Sequence, residues 1–450
     1  MDCCEHTTPP SGPPRAGREG AALFVRAAWA LTAALALALL AAMDAAAQPA
    51  RWSAEAWRKD LRVLRQVVRV AHQNPFHTAD SQALEAAFDD LHARIPALTD
   101  FEIAFGMHRI MASLGDGHSW LTYYGRDLSR YFPFDAWEFS DGLYLTHAAA
   151  GHDRAAGARV LAIDGVPLEE VRERLRPWIS LDNEMEVLRQ VPLMLRQPLV
   201  LHAAGITRER DRAEFTLLGP DGRSFEETFR GRDFAAYKTW REGQRTPEEE
   251  VRHLRRRNEF FWYETLASEN AIFFQFNWFD DMPGEPFEEF LDGLFADLDS
   301  RPDACLILDV RHNVGGRIAL VDPLVERIRR RPDLARRGRL YAITGRATFS
   351  SALMLVARLE RHTGVVLAGE PGSGKPNSYG QYTPFKLPET GLEGSISTHF
   401  HQEGEALDTR DRIEVQLEAV PSFADYRAGR DPALEAVLDH WRAARESGRP

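Results

Sequence analysis

The sequence predicts an α/β chain of several parts, an α+β multidomain protein whose strand–helix alternation lies in its second half. From Phe260 on, apolar β-type runs and amphipathic helical patterns alternate: Ile272 to Asn277, Pro286 to Leu298, Cys305 to Val310, Ile318 to Arg329. Such alternation is the mark of strands joined by crossover helices. Between Leu340 and Gln381 it becomes strand, Thr348-Phe-Ser350-Ser351, helix, strand, and a Gly-rich loop carrying Lys375. Ahead of this core, Trp52 to Thr122 is patterned as helix, and roughly Phe132 to Arg230 as short strands.

The 450 residues are 44% apolar, ample for globular cores, and carry a net charge of −12, so nucleic acid is not an expected partner. Cys3, Cys4 and Cys305 indicate no compartment. The first apolar run does: Arg15, Arg18 and Arg26 precede an uncharged Ala/Leu-rich segment, Ala27 to Met43, and then Ala45-Ala46-Ala47. A charged start, a short apolar run and small residues describe a secretory leader cut near Ala47. Roughly 17 apolar residues are short for a membrane span. The expectation is an exported protein, periplasmic or extracellular, with an uncleaved anchor as the alternative.

The expected parts are residues 1–47 (leader), 48–130 (helical), 131–235 (a strand-rich module), 236–259 (a charged linker) and 260–450 (the α/β core). In the helical part, Trp57, Leu61, Leu64, Val67 and Val68 form one helical pattern, and Leu84, Phe88 and Leu91 another. A third helix, Asp100 to Leu114, leads into Gly115-Asp116-Gly117-His118. In the module, Gly142 to Leu145 and Ala158 to Gly165 read as strands, Pro167 to Leu175 and Met185 to Leu195 as helices, and Gly219 to Gly222 as a hairpin turn. The linker, with Glu248-Glu249-Glu250 and Arg255-Arg256-Arg257, reads as a solvated helix or loop.

The chemistry concentrates at Ser350. A serine at a helix start sits beside unpaired N–H groups and the positive end of a dipole, which suits an oxyanion. An amine on the next loop, Lys375, could take the serine proton if burial lowers its pKa. The competing reading is that Thr348, Ser350 and Ser351 cap the helix. His118, just past a helix, is either a turn residue or a base. Gly369 to Lys375 imitates a phosphate-binding P-loop, but Pro376 stands where Ser or Thr should hold magnesium, and Asn377 to Gly380 reads as loop, so no nucleotide is expected. His399 and His401 are spaced as metal ligands on a strand, with no third ligand in view, and a solvated strand is the preferred reading.

Leu114-Gly-Asp-Gly-His118, Leu306 to Gly316, Thr348 to Ala352 and Gly369 to Lys375, in that order, resemble the C-terminal processing, or tail-specific, serine peptidases. That group is related to the tricorn protease core and the interphotoreceptor retinoid-binding modules. The resemblance spans Trp52 to Trp441, and Gly429 to Leu434 is similar to the family's end. It implies a ClpP/crotonase-like core, and a PDZ-like module at 131–235 that captures substrate ends. It also implies a serine peptidase acting on proteins or peptides without metal or cofactor. Ser350 matches the nucleophile, Lys375 the base of the serine–lysine branch, and His118 the base of the tricorn branch. The N–H of Gly315 or Gly316, with that of Ser351, would form the oxyanion hole. Tyr379 stands where serine–lysine members often have Gln, Ile413 to Gln416 replaces Glu-Pro-Asp, and Phe349 and Ser351 replace two alanines. Lys375 is placed slightly ahead of His118 as base. The alternatives are a ligand-binding module without catalysis and a non-peptidase serine hydrolase, the latter disfavoured because Ser350 lacks the Gly-x-Ser-x-Gly elbow.

Overall fold

The structure is a computed structural model and describes residues 51–123, 130–242 and 251–447. The leader therefore lies outside the described residues, as does the acidic run Glu248-Glu249-Glu250 of the linker. Among the described residues no helix is long and apolar enough to cross a membrane.

Helices α1 (Ala54–Ala71), α2 (Ser81–Arg94) and α3 (Asp100–Ala112) open the chain. Each begins at a side chain that accepts a backbone N–H, Ser53, Asp80 and Thr99 in turn, and Thr99 forms a reciprocal capping box with Glu102. The predicted faces are the buried ones: Trp57, Leu61, Leu64 and Val68 of α1 meet Leu84, Phe88 and Leu91 of α2. The chain then forms β1 (Trp120–Leu121).

The strand-rich module follows as β2 (Phe134–Phe139), β3 (Gly142–Ala148), β4 (Arg159–Ile163), α4 (Leu168–Leu175), α5 (Met185–Met194), β5 (Arg212–Leu218) and β6 (Ser224–Arg230). Its strands form one antiparallel sheet in the order β2-β3-β4-β5-β6. Phe132, Phe134, Phe215 and Phe229 pack ring against ring inside it. The module and the helices α1 to α3 share one apolar core.

The second half runs β7 (Phe261–Leu266), β8 (Ala271–Phe276), α6 (Phe287–Asp299), β9 (Cys305–Asp309), α7 (Val321–Arg329), β10 (Leu340–Thr344), α8 (Ser351–His362) and β11 (Val366–Gly369). After a hairpin of β12 (Asn377–Lys386) and β13 (Glu393–Gln402) come β14 (Leu417–Glu418) and α9 (Pro432–Glu446). The main sheet has the order β7-β8-β9-β10-β11-β14, with β7 antiparallel and the rest parallel. Every residue of β8, β9, β10 and β11 is buried, which is why these strands read as continuous apolar runs. Helices α6, α7 and α8 cover one face, and α9, through Val437 and Trp441, covers the other. The α/β expectation for the second half of the chain therefore holds, and the candidate-site loops leave the carboxyl ends of β9, β10 and β11.

One expectation fails. Asn377 to Gly380 is not a loop but the first turn of pairing in β12, joined to β13 from Asn377↔Gln402 to Lys386↔Glu393. Tyr382, exposed, and the neighbouring Pro384 give this strand a polar, interrupted pattern, so it lacks the apolar alternation that identifies a strand. Strand β13 also pairs with β1, which ties the helical region to the core beside the site.

Candidate active site

The turn after β10 places Ser350 at the entry of α8 with φ 52° and ψ −128°. A non-glycine residue there is strained by about 1–3 kcal/mol and persists only where the surroundings enforce it. They do so through a lattice of bonds between two loops. Thr348 Oγ1 accepts the Gly345 N–H at 3.0 Å and donates to Val310 O at 2.9 Å. Phe349 N–H donates to Asn313 O, and Ser351 Oγ donates to Gly316 O at 2.8 Å. Thr348 and Ser351 are thus structural. Ser350 makes no side-chain cap, so the capping explanation fails for it. The strained elbow is present without flanking glycines because Gly315, on the neighbouring loop, makes the room. A Cβ there would lie 2.6 Å from Ser350 Cβ. Gly315 also has φ 106°, so Gly315→Ala adds a clash to backbone strain. We expect turnover to fall by about a hundredfold or more, read as kcat/KM beside the unfolding midpoint.

His118 Nε2 lies 3.0 Å from Ser350 Oγ. The imidazole is buried, stacked on Phe349 at 4.4 Å between ring centres. Its loop is held from beneath by Asp116, fully buried, whose Oδ1 accepts the N–H of His118 and of Ser119 and the Ser397 hydroxyl. Asp116 Oδ2 meets His72 Nε2 at 3.1 Å. His72 Nδ1 already accepts the Asn74 N–H, so its Nε2 carries the proton and donates. Burial opposes the Asp116 charge, but the bonds from His72, Ser397 and Ser119 outweigh it and hold the carboxyl below its usual range. Ser395 Oγ donates to His118 O, so β13 buttresses the same loop. Burial pushes the His118 pKa down to about 4; Asp116 and the Tyr379 main chain oppose that shift, and His401 adds to it. His118 is therefore neutral at pH 7, with a lone pair free for a proton. Among the described residues no carboxylate hydrogen-bonds its Nδ1.

Lys375 lines the same cleft of about 220 Å³ as Ser350 and His118, yet it makes no hydrogen bond to Ser350. Its ammonium acts electrostatically on Asp182, a buried carboxyl pushed up to about 7 by burial and by Asp116, with Lys375 opposing. Asp182 Oδ2 accepts the Gly117 N–H at 3.2 Å. Asn183 donates to the carbonyls of Gly372 and Gly374, at 3.0 Å each. The segment before α5 thus clasps both the His118 loop and the Lys375 loop. Asp116 was visible inside the Gly-Asp-Gly-His motif, but Asp182 and Asn183 gave no signal in the sequence. Of the two candidate bases, geometry brings His118, not Lys375, within hydrogen-bond reach of the serine.

In the parallel bridge between Phe279 and Gly316, Phe279 N–H donates to Gly315 O and Arg317 N–H to Phe279 O. That pattern turns the Gly316 N–H away from Phe279. The Gly315 N–H is spent on Asn313 Oδ1 at 2.8 Å. Of the two glycines considered, Gly316 is the one with a donor to offer. Ser351, first in α8, has an N–H with no partner within its helix. His401, read as part of a solvated strand, instead lines the cleft with Glu403, whose carboxylate is tied to Arg358.

No family model matches the chain, and no curated protein matches it. Among solved structures, mature CPAF is similar over 87% of this chain and 97% of its own, at 13% identity and TM-score 0.62. CPAF complexed with lactacystin is similar over 88% and 99%, at 13% identity and TM-score 0.63. A looser likeness, TM-score 0.40 at 13% identity over 85% and 96%, is to the photosystem II D1 C-terminal processing protease. The helical region, the strand-rich module and the α/β core together are thus the fold of mature CPAF.

Proposed function

We propose that the chain is an exported serine peptidase that cleaves peptide bonds through an acyl-enzyme on Ser350, with His118 as general base. The observation that carries this reading is the 3.0 Å contact between His118 Nε2 and the hydroxyl of a serine held in a strained turn. Ser350 Oγ gives its proton to His118 Nε2 and attacks the carbonyl carbon; the protonated imidazole then returns the proton to the leaving amine. The N–H groups of Gly316 and Ser351 receive the oxyanion, with no reorganisation required at the moment of attack. Water, activated by the same imidazole, releases the acyl group. Lys375, lining the cleft and acting on the buried Asp182, contributes positive charge rather than proton transfer. An intact pair of this kind favours catalysis over a binding-only role.

The test is incubation with an unfolded protein substrate and sequencing of the new termini. Internal cuts made by the wild type and absent with Ser350→Ala support a peptidase. Hydrolysis of simple esters alone would make it a non-peptidase hydrolase.

The pH profile follows from His118. The base must be neutral, so activity is complete above its pKa and is lost as pH falls through it. We expect the acid limb of kcat/KM near pH 4, well below an ordinary histidine near 6.5. A limb at 6 to 7, with the fold intact by near-UV circular dichroism, would contradict the burial of this ring.

Export rests on the sequence of residues 1–47, and N-terminal sequencing of the mature protein beginning near Gln48 would support it. The module of residues 131–235 is read as PDZ-like, a site for substrate ends. In support, β6 is an outer strand of its sheet, with Ser224 and Glu226 exposed.

A further inference from the structure

We infer that Asp182 is a positioning residue for the peptidase reaction, an inference that rests on His118 as general base: its carboxyl holds the Gly117 N–H and so fixes the imidazole against Ser350. Asp182 belongs to the segment of the strand-rich module that leads into α5, far in sequence from both catalytic loops.

Two carboxyls hold consecutive main-chain N–H groups of the histidine loop. Asp116, within the loop, accepts those of His118 and Ser119, and Asp182 accepts that of Gly117 at 3.2 Å. The second contact comes from 65 positions along the chain. It is also close. A Cβ on Gly117 would meet Asp182 Oδ2 at 3.1 Å and Phe349 Cζ at 2.8 Å. Phe349 in turn stacks on the imidazole and immediately precedes Ser350.

The residue beside Asp182 ties the same segment to the nucleophile. Asn183 Oδ1 accepts the Met185 N–H at 3.0 Å, which fixes the segment to the start of α5. Asn183 Nδ2 donates to the carbonyls of Gly372, Gly374 and Asp411, each at 3.0 Å. Between those glycines, the Ser373 N–H donates to Thr348 O at 3.0 Å and the Ser373 hydroxyl to Arg346 O. Arg346 and Thr348 lie in the turn that presents Ser350. A run of hydrogen bonds and peptide therefore joins the nucleophile's turn to the base's loop, and it meets that loop at Asp182 Oδ2. Geometry held in this way matters because a displacement of about 1 Å can cost on the order of a hundredfold in rate.

The loop asks Asp182 for an acceptor, not for a charge. Burial foremost, with Asp116 and Glu186 adding, pushes its pKa up to about 7, against the opposing Lys375 and Gly117 N–H. Neutral or ionised, a carboxyl keeps an oxygen able to accept an N–H. The Gly117 bond thus survives titration of Asp182, and the acid limb of activity stays with His118.

The experiment measures kcat, KM and the unfolding midpoint of Asp182→Leu, Asp182→Ala and Asp182→Asn beside wild type and His118→Ala, with unfolded, fluorophore-labelled casein at pH 7. Leucine keeps the branching of aspartate without an acceptor, alanine empties the space, and asparagine keeps an acceptor without a charge. Asp182→Leu and Asp182→Ala are expected to lower kcat by about tenfold to a hundredfold, with KM within about threefold and the midpoint within a few degrees. Asp182→Asn is expected to recover most of that loss. Wild-type kcat in folded Asp182→Leu or Asp182→Ala, with His118→Ala inactive, would overturn the inference and leave the base in place. So would a rise in KM alone, a loss in Asp182→Asn equal to that in Asp182→Leu, or failure of both acceptor-less variants to fold, which would make Asp182 structural. Wild-type kcat in His118→Ala would overturn the base and this inference together.

Discussion

Ser350→Ala is expected to remove peptide hydrolysis almost entirely, by about 10⁴-fold or more, while the unfolding midpoint stays within a few degrees of the wild type. The small structural effect follows from what the hydroxyl touches: it makes no helix cap, and its hydrogen bond is to His118. Deleting a nucleophile removes the covalent route itself, so the substrate is left with whatever the oxyanion donors provide. Turnover by steady-state kinetics, beside thermal unfolding of the same preparation, reads both quantities. Substantial residual turnover would show that the bond is broken by some other group.

His118→Ala is expected to cost about 10²–10⁴-fold in kcat, the range of a positioned general base, and Lys375→Ala much less. The asymmetry is geometric. His118 is within hydrogen-bond reach of the serine in the resting structure, and its burial keeps it unprotonated. Lys375 has no bond to the serine, and to accept a proton an amine must first be neutral, which requires a shift of several units. A histidine needs no such shift. Removing His118 also takes a ring off Phe349, so His118→Asn, of similar size, separates loss of the base from loss of packing. If Lys375→Ala proved the more damaging of the two in kcat, the proton would travel to the amine after all.

Much of this was legible in the chain. Strands β8 to β11 announced themselves because burial on both faces leaves almost only apolar residues, and the helices α1 and α2 because each buries a single face. Ser350, His118 and the glycine turn were found through local motifs: a serine at a helix start, a glycine-flanked histidine, paired glycines after a strand. What local pattern could not give was the distance between them, since His118 and Ser350 are 232 positions apart. Nor could it show the hairpin β12–β13, whose strands mix Gly, Pro and exposed residues yet supply Ser395 and Ser397 to the His118 loop. Asp182 and Asn183 were silent for a related reason. Their bonds go to main-chain groups, Gly117 N–H and the carbonyls of Gly372 and Gly374, and main-chain partners leave no mark in a sequence. Distance along the chain favours Lys375, whereas Ser395 of β13 and Asp182 of the segment before α5 bond to the His118 loop and hold it at the serine.

The most direct test of Ser350 as an activated nucleophile is labelling with a fluorophosphonate at neutral pH, followed by mapping of the modified peptide by mass spectrometry. The account predicts one adduct per chain, on Ser350, formed much more slowly in His118→Ala and at a near-normal rate in Lys375→Ala. An unlabelled Ser350 in a preparation that hydrolyses peptides, or an adduct on another residue whose loss abolishes turnover, would contradict it.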